Sequence, residues 1–344
     1  MRKRRVLLMV HETLVPPDDI AGRPESDIEH CRTEYNVLST LRRLGHHVRV
    51  VGVGDRLTEL REAIRDWKPH VVFNLLEEFS GIVTYDHYLV AYLELMRQPY
   101  TGCNPRGMMI SRDKVLTKQV LASHRIPTPR FQLFPYGQRF REPRRVSFPM
   151  FVKSATDDAS LGISQASMVG DMARLRERVE FIHDQVRSDA LVEEYIDGRE
   201  LYVGVLGNER LTALPAWEMD FGTLPEVQSA IATRRVKWDP AYQARHGIST
   251  GPARGLGAAQ QDALARLAKR IYRALHLSGY ARMDLRMRAD GSVFVLEANA
   301  NPNLTYGEDF AESAETAGVE YEALIGRIVR LGIDYRPEWR LFES

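Results

Sequence analysis

Cysteine is scarce. Only Cys31 and Cys103 occur in 344 residues, too few for a disulfide framework or a thiolate metal site. Cys31 falls in an amphipathic helical pattern and Cys103 in a Thr-Gly-Cys-Asn turn, so both read as inert reduced thiols. None of the ten histidines has an HxxxH or HExxH partner, so any metal must be a hard cation held by oxygen. Charge of one sign is missing too. Forty-seven Lys and Arg against forty-six Asp and Glu leave a net charge of +1, with no whole-chain field to draw nucleic acid or an anionic membrane. No apolar run approaches the roughly 20 residues of a membrane span. The basic start Arg2-Lys3-Arg4-Arg5 is followed only by the short run Val6 to Val10, which argues against a secretory signal and for a soluble, cytoplasmic protein.

What is present is the composition of an ordinary globular chain, 44% hydrophobic and 27% charged, long enough for two or three domains. The first third alternates strands with helices. Val6–Val10, Val48–Val53 and Val71–Phe73 read as buried strands. Ile28, Cys31, Tyr35, Leu38, Leu41 and Leu44 mark one face of a helix, and Leu57–Trp67 and Tyr85–Met96 two more. Such alternation implies a parallel sheet with ligands at the carboxyl ends of its strands. Gly52-Val53-Gly54 reads as a strand-end turn, since the dinucleotide fingerprint's third glycine is missing. One helix is expected over about Ser111 to His124, broken by Pro127-Thr128-Pro129. Beyond Phe131 short strands dominate, with helices at Met172–Gln185, Ala258–Leu275 and Tyr321–Leu331, an α+β region of antiparallel sheets.

The densest chemistry lies in Ala281-Arg282-Met283-Asp284-Leu285-Arg286 and Val293-Phe294-Val295-Leu296-Glu297-Ala298-Asn299. Alternation puts Arg282 and Asp284 on one face of a strand, and Glu297 and Asn299 on one face of the next. The Asp290-Gly291 turn makes the two a hairpin. Oxygen donors of these types suit Mg²⁺; a solvated strand face with a surface ion pair is the competing reading. The apolar neighbours Val293, Val295 and Leu296 and the polar loop after Asn299 favour the metal.

These residues also resemble a known family. Arg-x-Asp followed by Leu-Glu-Ala-Asn-x-x-Pro is similar to the C-terminal signature of ATP-grasp enzymes, most closely the D-alanine–D-alanine ligase branch. Four other stretches agree in order: Pro99-Tyr100-Thr101-Gly102, Ser111-Arg112-Asp113-Lys114, Phe148-Pro149-Met150-Phe151-Val152-Lys153, and Leu191-Val192-Glu193-Glu194-Tyr195-Ile196-Asp197-Gly198-Arg199-Glu200. The resemblance implies an ATP-grasp fold: a Rossmann-like parallel-sheet domain over residues 1–112, a central subdomain over 113–199 and a C-terminal catalytic subdomain over 200–344, the last two sandwiching ATP. It implies that Lys114, Lys153 and Lys237 contact phosphates and that Ser160 lies in a loop closing over them. Glu193 would accept from adenine, the backbone of Glu194, Tyr195 and Ile196 would read the ring edge, and Glu200 would bind ribose. Asp284, Glu297 and Asn299 would hold Mg²⁺, with Mn²⁺ an acceptable substitute, and Arg282 would stabilise developing negative charge.

The implied reaction joins a carboxylate to an amine: the carboxylate takes the γ-phosphate of ATP, and the amine displaces phosphate from the acyl phosphate. No side chain need be modified covalently, in keeping with the lack of a Ser–His–Asp or Cys–His motif. The sequence departs from the D-alanine ligases where the amino-acid substrates sit. Asn303 stands where they carry glycine and Glu308 where they carry a serine that holds a carboxylate. The expected product is therefore not D-alanyl-D-alanine but an amide of another small amino acid, peptide or amine, with Glu12, Glu77, Glu78, Glu308 and Asp309 as candidate acceptor acids. A non-amine acceptor, as in a phosphotransferase, and a silent ATP-binding module are the alternatives. Neither nucleic acid nor membrane is an expected partner; a homodimer is what the family suggests.

Overall fold

A computed structural model describes residues 2–19, 28–143, 147–156, 163–223 and 231–342. Strand β1 (Arg5–His11), helix α1 (Arg32–Arg43), strand β2 (His47–Val53), helix α2 (Thr58–Trp67) and strand β3 (Val71–Asn74) come first. The three strands form a parallel sheet in the order β2-β1-β3. Val6 to Val10 are wholly buried, as a central parallel strand covered on both faces must be. Helices α3 (Asp86–Leu95), α4 (Pro105–Arg112) and α5 (Lys114–Ser123) follow. The single helix expected near Ser111 is thus two. Asp113, in extended conformation, accepts from the N–H groups of Val115 and Leu116 and starts α5 anew, the usual work of an Asp N-cap.

A four-stranded antiparallel sheet comes next, ordered β4-β7-β5-β6. It comprises β4 (Phe131–Phe134), β5 (Met150–Ser154), β6 (Met168–Val169) and β7 (Ala190–Glu194), with helix α6 (Met172–Phe181) packed on it. The largest sheet is built from β8 (Arg199–Leu206), β9 (Thr212–Ala213), β10 (Trp217–Asp220), β11 (Ser249–Pro252), β12 (Tyr280–Met287) and β13 (Val293–Asn299). Helices α7 (Arg234–Trp238) and α8 (Pro240–His246) lie between β10 and β11, α9 (Ala258–Ala274) between β11 and β12, and α10 (Asp309–Thr316) and α11 (Tyr321–Asp334) follow β13.

Two cores tie the ends together. Val6, Leu8, Val10 and Phe73 on one face of the first sheet pack with Leu38 and Leu41 of α1 and with Leu324, Ile325, Ile328 and Val329 of α11. Leu7, Met9 and Val72 on the other face join a cluster running through Ile110 and Leu121 to Leu201, Val203, Ile271 and Met283. Each such side chain contributes about 1.5–3 kcal/mol by leaving water, so the last helix of the chain locks the first sheet against the largest. Among the described residues no helix is long and apolar enough to cross a membrane.

Candidate active site

A cleft of about 1080 Å³ is lined by residues from all three sheets and from the turns beyond their strands. Its floor is the β12–β13 hairpin. Arg282 lies opposite Asn299 and Asp284 opposite Glu297, with a bulge at Leu296 before pairing resumes at Leu285 and Val295. The bulge restores the apolar residues to their own faces while keeping both carboxylates on the cleft side.

Asp284 is 2% exposed. Both its oxygens accept from Arg282, Oδ1 from Nε at 2.7 Å and Oδ2 from Nη2 at 2.8 Å. Burial pushes its carboxyl above the ordinary value in spite of Arg282, and Glu297 opposes its ionisation further. Glu297 behaves differently. Burial would raise it as well, but Lys114, Lys153, Lys237 and Arg282 together hold it down to about 2. Even with Lys153 shared with Glu193 and Arg282 with Asp284, Lys114 and Lys237 add positive charge here, the complement of a polyphosphate. Two facing carboxylates that repel each other suit a divalent cation between them. Asn299 Oδ1 accepts from the Asn301 N–H at 2.8 Å, leaving one lone pair for a ligand. The donor set therefore fits Mg²⁺ together with nucleotide phosphates.

Lys114 opens α5, and its backbone N–H donates to Ala155. Lys153 ends the apolar run of β5 and, like Lys114, is buried. Lys237, on α7, lies 5.9 Å from the Tyr202 ring centre, and the Arg282 guanidinium 4.7 Å from the same ring. Ser160 and the acidic stretch Asp157-Asp158 lie outside the described residues.

The groups expected around the base and ribose already have partners within the chain. The Glu193 carboxylate, expected to accept from adenine, is taken up by two ammonium groups: Lys118 at 2.7 Å and Lys153 at 3.1 Å. Burial opposes its ionisation, but the two lysines outweigh that and lower its pKa. The N–H groups of Glu194 and Tyr195 donate to the carbonyls of Arg130 and Pro149, which narrows the expected ring-edge contacts to Ile196 and the carbonyls of the segment. The Glu194 side chain pairs with Arg288 at 2.8 Å. Glu200 accepts from Arg286 at 2.7 Å and from the Tyr202 hydroxyl at 2.8 Å; it borders the cleft already held in place.

The expected acceptor acids separate. Glu77, Glu78, Glu308 and Asp309 border the cleft. Glu12 does not. Its carboxylate lies over Gly54, where an added Cβ would collide with it, because the two glycines at the end of β2 leave the hollow that this side chain fills. Asn303 borders the cleft, but its Oδ1 accepts from the Thr33 and Thr305 hydroxyls at 3.1 and 2.6 Å and from the Thr305 N–H at 2.9 Å, so it fastens the loop to α1. Cys31 and Cys103 are both buried; burial raises both thiols, that of Cys103 to about 12.

Some contributors were missed in the sequence although a signal existed. Lys118 is one helical turn beyond Lys114, and Arg286 continues the period-two face of Arg282 and Asp284. Glu34 occupies the buried face of α1 between Cys31 and Leu38, a carboxylate at core spacing.

The family model for the D-ala D-ala ligase C-terminus matches residues 120–330. A D-alanine–D-alanine ligase of Pelotomaculum thermopropionicum is 31% identical over 258 residues, 72% of this chain and 76% of that protein. An uncharacterized protein of Sinorhizobium fredii, y4sG, is 35% identical over 263 residues, 75% of this chain and 73% of that one. The solved D-alanine–D-alanine ligase of Bacillus anthracis complexed with ATP superposes with a TM-score of 0.71 at 19% identity, covering 99% of this chain and all of that one. The fold is that of the ATP-grasp enzymes.

Proposed function

Since the chain belongs to the D-alanine–D-alanine ligase family and is an ATP-dependent ligase, we propose that it joins a carboxylate to an amine other than D-alanine through an acyl phosphate, releasing ADP. The observation that carries the reading is Glu297, ionised among Lys114, Lys153, Lys237 and Arg282, with Asp284 facing it across the hairpin. The three lysines hold the phosphates of ATP, Ile196 and the neighbouring carbonyls take the adenine edge, and Glu200 takes the ribose. A divalent cation held by Asp284, Glu297 and Asn299 would neutralise charge on the transferring phosphoryl group. Arg282, held by Asp284, would offer its guanidinium to the oxygens that gain charge when the substrate carboxylate is phosphorylated and when the amine attacks it.

Departure from D-alanine is supported by an acid on the cleft wall. Glu308 borders the cleft there, and burial and Asp309 raise its pKa against the pull of Arg32. A carboxylate at that place disfavours a substrate carboxylate and favours an amine. The test is ADP release from the purified chain with ATP, Mg²⁺ and a panel of amines and amino acids, with product masses read alongside. Acceptor-dependent release that Glu297→Ala removes supports the reading. A strong preference for D-alanine overturns the substrate assignment, and no acceptor-dependent release overturns the ligation itself.

A further inference from the structure

One wall of the cleft lies where residues beyond β1 and β3 meet the first turn of α1. Glu34 stands in that turn, 6% exposed and bordering the cleft. Among the described residues no lysine, arginine or histidine pairs with it, and the hydrogen bond to its carboxylate comes from its own backbone N–H. The charge it feels is a like one, Glu77, three residues beyond β3. Burial and then Glu77 push Glu34 up to about 7. Glu77, whose side chain is exposed to the cleft, is raised by its protein surroundings against the pull of Arg112.

Of the arginines bordering this wall, Arg112 pulls on Glu77 and Arg32 on Glu308. Arg112 pairs with the buried Asp86, and His11 lies 3.3 Å from Glu78. Packing gives no reason for an acid at position 34, since its neighbours on the buried face of α1 are Val37, Leu38 and Leu41. A leucine or glutamine there would avoid burying an uncompensated charge. A carboxylate kept in such a place is satisfied when something entering the cleft brings the opposite charge.

We infer that Glu34 and Glu77 form a subsite for a second, non-reacting ammonium group of the amine substrate, so that the substrate is a diamine or a diamino acid. This rests on the ligase reading above. The attacking amine must be neutral to use its lone pair on the acyl phosphate, whereas the second nitrogen stays protonated and donates to two carboxylates at once. A neutral side chain of equal length would leave Glu34 without a cationic partner among the described residues.

The test compares L-lysine, L-ornithine and putrescine with their uncharged counterparts norleucine, norvaline and butylamine. Two readouts are taken on the full chain: ADP release with product mass, and calorimetric binding to the complex with a non-hydrolysable ATP analogue. A dicationic compound is expected to show a KM and a Kd about tenfold or more below those of its counterpart, the worth of a charge-assisted hydrogen bond. Glu34→Gln should erase that advantage, bringing the dication to the level of its counterpart, and Glu77→Gln should do the same if the first variant folds poorly. Equal use of charged and uncharged amines, unaltered by either variant, overturns the subsite and leaves the ligase reading standing. Binding of the dication that Glu34→Gln abolishes, without ADP release for any amine, keeps the subsite and overturns the ligase reading. No binding and no turnover with any dication overturns the inference.

Discussion

Arg282 grips Asp284 at two points, Nε to Oδ1 and Nη2 to Oδ2, at 2.7 and 2.8 Å, from two positions away on the same face of β12. A planar fork matched to a carboxylate has one orientation, so the remaining edge of the guanidinium is fixed relative to Glu297 before any substrate arrives. Lysine keeps the charge but not the fork. Arg282→Lys is therefore expected to lower kcat by about 10²–10³, the cost of losing one preorganised donor to developing charge, with a much smaller change in the KM for ATP. Steady-state kinetics beside a thermal melt reads this, and a kcat within a few-fold of the parent would contradict the role.

Glu193 with Lys118 and Lys153 is a buried triad of one negative and two positive charges. Removing Lys118 leaves a complete pair behind, whereas removing the Glu193 charge leaves two ammonium groups facing each other away from water. Glu193→Gln should therefore lose about 3–5 kcal/mol in urea unfolding, the scale for breaking a buried pair, and Lys118→Met distinctly less. The double variant should recover part of the Glu193→Gln loss. Strict additivity of the two single changes would show that the three groups do not act together.

Much of this arrangement was legible before the fold was known, because period-two alternation and a turn suffice to align a hairpin. Arg282, Asp284, Glu297 and Asn299 face one another as their spacing predicts. The bulge at Leu296 was not legible, since it depends on how β13 packs rather than on its alternation. Nor could sequence tell which partner a charged residue would find. Glu193 looked like a group for a ligand, yet its acceptor oxygens are used by lysines from α5 and β5, elements far apart in the chain. The partners of Glu12 and Asn303 were hidden for a similar reason: one lies over Gly54, off the cleft lining, and the other borders the cleft while fastening a loop to Thr33. Asp113, a polar residue inside an apparently continuous helix, ended one helix and capped the next, a local rule that hydrophobic spacing alone does not reveal.

Gly198 connects β7 to β8 with a φ of +140°, a conformation that side chains other than glycine rarely adopt. An added Cβ would collide with the Met287 carbonyl oxygen and lie 3.1 Å from Arg288 Cα. The Gly198 carbonyl meanwhile accepts from Arg286 Nη1 at 3.1 Å, and Arg286 holds Glu200. Gly198→Ala must move the turn that carries Glu200. Expected are a loss of about 1–3 kcal/mol in stability and a raised KM for ATP. A midpoint in urea unchanged to within about 0.5 kcal/mol would show that the turn relaxes without cost.

Glu34 supplies a test that needs no substrate. Its folded-state pKa of about 7 lies above the ordinary 4.5, so the folded chain binds that proton more tightly than the unfolded chain. Stability is then lost as pH rises from about 4.5 through 7, and the loss stays in full above that. The difference between 4.5 and about 7 corresponds to about 3 kcal/mol. Glu34→Gln has no proton to lose at this site. The variant should therefore gain on the parent progressively between pH 5 and pH 8, by up to about 3 kcal/mol in urea unfolding, and the gain should level off above pH 8. The same substitution should be detrimental to recognition of a dicationic amine, the trade expected where a binding group is kept at the expense of the fold. A stability difference between parent and variant that does not change with pH would mean that Glu34 is compensated in the folded chain, and the subsite would lose its uncompensated charge.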